Sequence, residues 1–381
     1  MSRLSENTRR YVDEVLSAEF PTSGTGMVDR AEAAFSELLG VKHSIAHVNG
    51  TTTLHAILWA ISIGSGDEVI VPPLTMASTT FAVLHAGATP VYADVNPTSY
   101  VIDADSIREK ITPRTKAIIT VSLYGMPPDM DAIMNVAEEY GLKVIEDNAQ
   151  APLATYKGRN LGTIGHAASY SFQSSKHLTC GEGGMVVTND DSIALRVRRF
   201  SSLGYKAVGA KSGKISKSEI QDSNYERHAI VGYNYRMSEL NAAVLLAQIE
   251  IADQLVAKRR LIGDMYLSAI LGSAKYTYQY TKRYSYTHAY WAFPVIATKG
   301  WAGIDQLRRR FAGNGGDDIY GAWKLTYQEP AIKRLGITGD CIHAERAQQN
   351  LLAFKTNYQN LEEAQKQADI LSKTLKEVTW T

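Results

Sequence analysis

Along the first half of the chain, short apolar and β-branched runs alternate with segments of helix length. Ser44 to Val48 reads as a strand and Thr53 to Ile63 as a helix, and Glu68 to Val71 with Ser78 to Ala86 repeats the pair. Strands at Pro90 to Ala93, Ala117 to Val121 and Val144 to Ile145 follow, with helices near Asp103 to Ile111 and Asp131 to Tyr140 between them. Strands separated by helices imply an α/β fold with a parallel sheet covered on both faces. Between His43 and Ala93 the only Asp, Glu, Lys or Arg residues are Asp67 and Glu68, as a buried layer requires. Asn49, Gly50, three threonines, Pro72 and Pro73 interrupt that layer before any stretch reaches membrane-spanning length.

After Lys157 the texture changes. Ala168 to Phe172 and Met185 to Thr188 read as a strand pair, because only twelve residues, ending in the turn Gly181-Glu182-Gly183-Gly184, separate them. A helix from Asp191 to Phe200 follows, then a polar, Lys- and Gly-rich loop from Lys206 to Ser223, then one long helix from Ser238 to about Ala257. Beyond Arg259 come Tyr-rich strand-like runs, Tyr276 to Tyr280 and Tyr290 to Val295, and a helix from Gln359 to Lys376. These shifts divide the chain into an N-terminal helical segment (1–28), a large domain (29–259) and a small C-terminal domain (260–381).

Composition narrows the function. The chain has 381 residues, with 40 Lys plus Arg against 39 Asp plus Glu, a formal charge of +1. That balance argues against nucleic-acid and membrane-surface partners, which call for a basic excess. Two cysteines make no disulfide framework and, with no CxxC pair, no thiolate metal site, so a reducing, cytoplasmic setting is expected and no metal. The N-terminus carries charges throughout and offers no apolar signal core.

Four segments carry candidate chemistry. Asn49 to Thr53 (NGTTT) joins a strand to a helix, where free N–H groups and hydroxyls suit a phosphate, although threonine also serves as a plain cap. Asp147, in Ile145 to Ala151 (IEDNAQA), falls at the carboxyl end of a parallel strand, where open α/β sheets bind ligands; an acid there also closes turns. Lys176 is the only Lys or Arg of Ser169 to Thr188, between a serine-rich strand end and a glycine turn. A lysine held in a desolvated cleft has a lowered pKa and bonds carbonyls, whereas most lysines are simply solvated. Asn234 and Arg236 precede the long helix, as a turn into that helix also would. An amine, a phosphate cup and a carboxylate are together what pyridoxal 5′-phosphate needs: a lysine for its aldehyde, a helix end for its phosphate, an acid for its ring nitrogen.

The stretches NGTTTLHAIL, VIEDNAQA, YSFQSSKHLTCGEGGMVVTND and GYNYRMSELNAAVLLAQIE closely resemble the DegT-type sugar aminotransferases, which have the aspartate aminotransferase fold, fold type I. The resemblance implies a mostly parallel seven-stranded sheet flanked by helices, with a smaller α+β domain after it. It implies Lys176 as the Schiff-base lysine and proton carrier and Asp147 as the ring-nitrogen partner. It further implies Gln150 at the ring hydroxyl and Gly50, Thr51, Thr52 and Ser171 in the phosphate cup. Asn234 would reach the cofactor of a neighbouring subunit, making a homodimer with shared active sites. Met76 stands where relatives stack an aromatic ring on the cofactor. Lys176, rather than the histidine of deoxygenating relatives, favours transamination over dehydration. The implied reaction moves an amino group from glutamate or glutamine to a keto-sugar, either nucleotide-linked or a sugar acid such as an 8-oxo-octulosonate, for cell-surface polysaccharide such as lipopolysaccharide or for secondary metabolites. A dehydratase, an aminobenzoate-type synthase and a non-catalytic cofactor sensor are the alternatives. Small-domain contacts to the sugar are expected from Trp323, Tyr327 or His288.

Overall fold

A computed structural model describes residues 4–18, 26–206, 208–209, 218, 221–224, 226–298 and 300–378. Most of the polar loop expected over 206–223 lies outside the described residues. Two helices, α1 (Glu6–Leu16) and α2 (Met27–Leu39), precede a seven-stranded sheet. Its strands are β1 (His43–His47), β2 (Glu68–Val71), β3 (Thr89–Tyr92), β4 (Thr115–Val121), β5 (Lys143–Asp147), β8 (Ala167–Ser171) and β9 (Gly184–Thr188), and a short hairpin, β6 (Thr155–Tyr156) and β7 (Arg159–Asn160), lies between β5 and β8 in the chain. The order is β1-β9-β8-β5-β4-β2-β3, and β9 alone runs antiparallel to its neighbours. Val69, Ile70, Val71, Ile118, Ile119, Val144 and Ile145 are fully buried, because a parallel sheet is covered on both faces and its strands read as unbroken apolar runs.

Helices α3 (Gly50–Ala60), α4 (Ser78–His85), α5 (Ala104–Glu109) and α6 (Met130–Tyr140) make the crossovers, and α7 (Asp191–Ser201) follows β9. Helix α3 begins three residues before the start expected at Thr53. Asn49 is extended and its side-chain oxygen accepts the N–H of Thr52 at 3.0 Å, so asparagine caps the helix and all three threonines enter its first turn.

The single helix expected from Ser238 to about Ala257 is two: α8 (Glu239–Ile249) and α9 (Ala252–Ile270), meeting at 64°. Neither Pro nor Gly lies at the bend; Ile251 leaves the helical region (φ −117°, ψ 18°), and contacts on either side fix the angle. The carboxylate of Glu250 is held by the Tyr11 hydroxyl and by the Asn7 amide at 2.6 Å, while Arg259, further along α9, is anchored at the lysine loop. Among the described residues no single helix is long and apolar enough to cross a membrane.

The sequence boundary at 260 falls inside α9. Beyond it, β10 (Tyr276–Tyr278), β12 (Ala292–Ala297), β14 (Leu351–Lys355) and β13 (Tyr320–Gly321) form a second, antiparallel sheet in that order. It is covered by Phe311, Tyr266 and Leu371. The strand β11 (Tyr286–Thr287) instead returns to pair with β6, so the two parts share a small three-stranded sheet.

Candidate active site

The carboxyl ends of β4, β5 and β8 and the N-terminus of α3 meet along one edge of the large sheet, around a cavity of about 400 Å³. Gly50, Thr51, Met76, Asp147, Gln150, Ser171 and Lys176 all line it. Thr52 and Asn234 do not. The Thr52 hydroxyl is spent on the carbonyl of Asn49 at 2.8 Å, and Asn234 is exposed, bridged to Ser202.

Each lining group is placed by its own local cause. Gly50 opens α3 beside Ser171, and a Cβ there would sit 2.9 Å from the Ser171 Cβ, so only glycine lets the helix start approach the strand end. The Thr51 hydroxyl donates to Ser78 Oγ at 3.1 Å, which adds a third hydroxyl, at the start of α4, to those of Thr51 and Ser171. Gly184 lies beneath, where a Cβ would come within 2.4 Å of the Asn49 carbonyl oxygen.

Asp147 is 7% exposed, and burial pushes its carboxyl up. The Thr79 hydroxyl at 3.0 Å, the Ala149 N–H at 3.2 Å and the Lys176 ammonium oppose that shift. Gln150 is oriented by the Tyr124 N–H, which its Oε1 accepts at 2.5 Å, so its NH₂ end is the donor offered to the cavity.

Lys176 ends a tight loop in which its N–H donates to the Gln173 carbonyl at 2.9 Å and Gln173 Oε1 accepts from the N–H and hydroxyl of Ser175. By surface area the residue is half-buried, but its amine is enclosed, and burial pushes it down to about 8. The Arg259 guanidinium acts in the same direction, and Asp147 acts against both. The amine lies 5.2 Å from the ring centre of Trp291. His177 points away: its Nε2 meets the Ala289 carbonyl at 2.8 Å, and burial holds it neutral, well below its ordinary value. It is therefore no substitute for the lysine.

A second chamber of about 650 Å³ adjoins the first, sharing Met76, Ser175, Trp291 and Trp323 and adding Tyr124, Tyr320 and Lys355. Of the three small-domain side chains expected at the substrate, Trp323 is there. His288 is buried against Gln279 at 3.1 Å, and the Tyr327 hydroxyl donates to Glu345 at 2.9 Å, so both serve packing. Sequence reasoning missed Ser78, Thr79, Glu182 and Trp291. Thr79 had a signal, standing four residues after Thr75 on the helix that follows the proline pair, whereas Trp291 arrives from 115 residues beyond Lys176 with none.

The donor set fits pyridoxal 5′-phosphate. A helix N-terminus with three hydroxyls suits a dianion, and the Asp147 carboxylate is buried where a protonated ring nitrogen would offset its cost. The seven-stranded sheet and this constellation define a pyridoxal phosphate-dependent enzyme of fold type I. Comparison with known proteins agrees and goes further: residues 2–370 match the DegT/DnrJ/EryC1/StrS aminotransferase family. The GDP-perosamine synthase of Caulobacter vibrioides is 43% identical over 263 residues, 68% of this chain and 67% of that protein. The GDP-perosamine synthase of Escherichia coli O157:H7 is 36% identical over 309 residues, 81% of this chain and 80% of that protein. The crystal structure of an aminotransferase from Psychrobacter cryohalolentis superposes with a TM-score of 0.87 at 29% identity, covering 98% of this chain and 97% of that one. The chain belongs to the DegT/DnrJ/EryC1/StrS aminotransferase family and is an aminotransferase that uses pyridoxal phosphate.

Proposed function

We propose that this aminotransferase moves an amino group from glutamate, or glutamine, to a keto-sugar carried on a nucleoside diphosphate, with Lys176 and Asp147 as its catalytic residues. The observation that carries the reading is the convergence of Lys176, Asp147 and the α3 cup on one cavity that opens into a second, aromatic-walled chamber. The relatives named for a GDP-linked product support this acceptor over an 8-oxo-octulosonate.

Gly50, Thr51, Ser78 and Ser171 would hold the phosphate, Asp147 the ring nitrogen, Gln150 the ring hydroxyl and Met76 one ring face. When bound, pyridoxal phosphate supplies an aldehyde that exchanges amines and a ring that withdraws electrons from the substrate carbon. Lys176 takes up and returns the proton at that carbon, its lowered pKa leaving a useful fraction of neutral amine near pH 8. Asp147 would face the ring nitrogen and favour its protonated form, and Trp291 and Trp323 wall the cavity on the side of the second chamber. Lys176 in place of a histidine, with His177 turned into the protein, favours transamination over dehydration.

The test is a donor and acceptor screen read by product mass. Ping-pong kinetics with glutamate and a nucleotide-linked keto-sugar are expected, and Lys176→Ala should abolish turnover. Full activity in Lys176→Ala, or amination of free sugar acids alone, would overturn the reading.

A further inference from the structure

The group that holds the lysine loop in place comes from outside the sheet. Arg259 on α9 is 5% exposed; it lies outside the 400 Å³ cavity and in the wall of the adjoining 650 Å³ chamber. Its Nη2 donates to the carbonyls of Ser175 and Lys176, both at 3.0 Å, and its Nη1 to the carbonyl of Trp291 at 3.0 Å and to Thr356 Oγ1 at 3.4 Å. The Thr356 hydroxyl in turn lies 3.0 Å from the Trp291 carbonyl, and the Trp291 indole N–H donates to the Ser175 carbonyl at 3.2 Å. One planar cation thus ties the backbone of the lysine loop to the strand edge that presents the indole beside the amine.

We propose that Arg259 is the positioning residue of Lys176, fixing the loop so that the amine stands between the Trp291 indole and the Asp147 carboxylate. Arginine is required because a fork of five donors satisfies several carbonyls in fixed directions, which a lysine ammonium on a flexible stem does not. The bend between α8 and α9 brings it there: α8 holds the turn after the lysine loop, Asn241 donating to the carbonyls of Cys180 and Glu182, and α9 turns back behind the loop. Among the described residues, the charged groups facing Lys176 include Asp147 from the end of β5, Arg259 from α9 and Glu182 from the glycine turn; His177 is neutral. The guanidinium adds an electrostatic effect to its grip, making protonation of the amine harder.

The proposal rests on Lys176 being the lysine that bonds the cofactor, and its test separates the two. In cofactor-free protein, the pH dependence of trinitrobenzenesulfonate labelling at Lys176, read by peptide mass, reports the amine directly. Arg259→Met should move that profile to higher pH and lower kcat roughly ten- to a hundredfold, with KM for the donor little changed. Arg259→Lys should restore the labelling profile but not kcat, because it returns charge without the fork. Parent-like kcat in either folded variant, or an unmoved labelling profile in Arg259→Met, would overturn the proposal. Loss of the fold in both variants, seen by circular dichroism, would also overturn it, since the residue would then be structural only. Failure of the reading of Lys176 itself shows separately, as turnover retained by Lys176→Ala.

Discussion

Glu146 and Asp147, adjacent acids at the end of β5, do opposite work because successive side chains of a strand face opposite sides. Glu146 is buried and accepts the N–H groups of Gly162, Ile164 and Gly165 at 2.6 to 2.9 Å, fixing the loop that leads into β8. Asp147 faces the cavity, and burial without a full set of partners raises its pKa. Removing charge from the two should therefore separate stability from activity. Glu146→Gln should destabilise the cofactor-free protein by about 2 kcal/mol, since its NH₂ end confronts N–H donors. Asp147→Asn should leave the melting midpoint nearly unchanged and lower kcat by about a hundredfold or more. Thermal melts paired with steady-state rates check both. The pH dependence of cofactor capture follows from Lys176. Only the neutral amine bonds the aldehyde and its folded pKa is about 8, so capture should quicken as pH rises and level off above that value. Stopped-flow absorbance at several pH values measures it; a profile still rising steeply at pH 10 would place the amine in open solvent.

Glycines decide how closely the elements around the cup approach, and two of them predict different losses. At Gly50, alanine gains up to about 1 kcal/mol of helix propensity, which offsets the contact with Ser171. Gly50→Ala should fold normally yet bind the cofactor roughly tenfold more weakly, as Ser171 is pushed from the cup. At Gly184 the obstacle is the Asn49 backbone, so Gly184→Ala should cost about 3 kcal/mol of stability. Titration of cofactor into the first and denaturant unfolding of the second distinguish the cases. At this scale the sequence was readable wherever local pattern and local contact coincide. The strands of the parallel sheet, the pairing of β8 with β9 and the segment bearing Lys176 are of that kind. The bend at Ile251 was not readable, because no breaking residue marks it and Tyr11, Asn7 and Arg259 impose it from elsewhere. Nor was Trp291, whose place depends on a backbone hydrogen bond to Tyr124 and on Arg259. Thr52 does not line the cavity, because a threonine beside a helix start satisfies its own turn as readily as it serves a ligand.

Across the whole molecule, Asn234 matches the site motif and yet stands exposed, away from the cavity of its own chain. The homodimer implied by the resemblance would have each chain lend Asn234 to the other. Mixing Lys176→Ala with Asn234→Ala should then recover up to about a quarter of the parent activity per site, through mixed dimers holding one intact site. Co-refolding followed by size exclusion and assay checks it, and strictly additive activity would exclude sharing.

β9, the strand that runs against the others of the large sheet, has a consequence for the order in which the molecule comes into being. It pairs locally with β8, but its other edge must wait for β1, about 140 residues away along the chain. Closing so long a loop is slow relative to forming hairpins and helices. The α3 end of the cup is carried by β1 and the Ser171 end by β8, so the two halves of the phosphate site meet only at that late closure. An incompletely folded chain, whatever secondary structure it has gained, therefore has no cup with which to retain its cofactor.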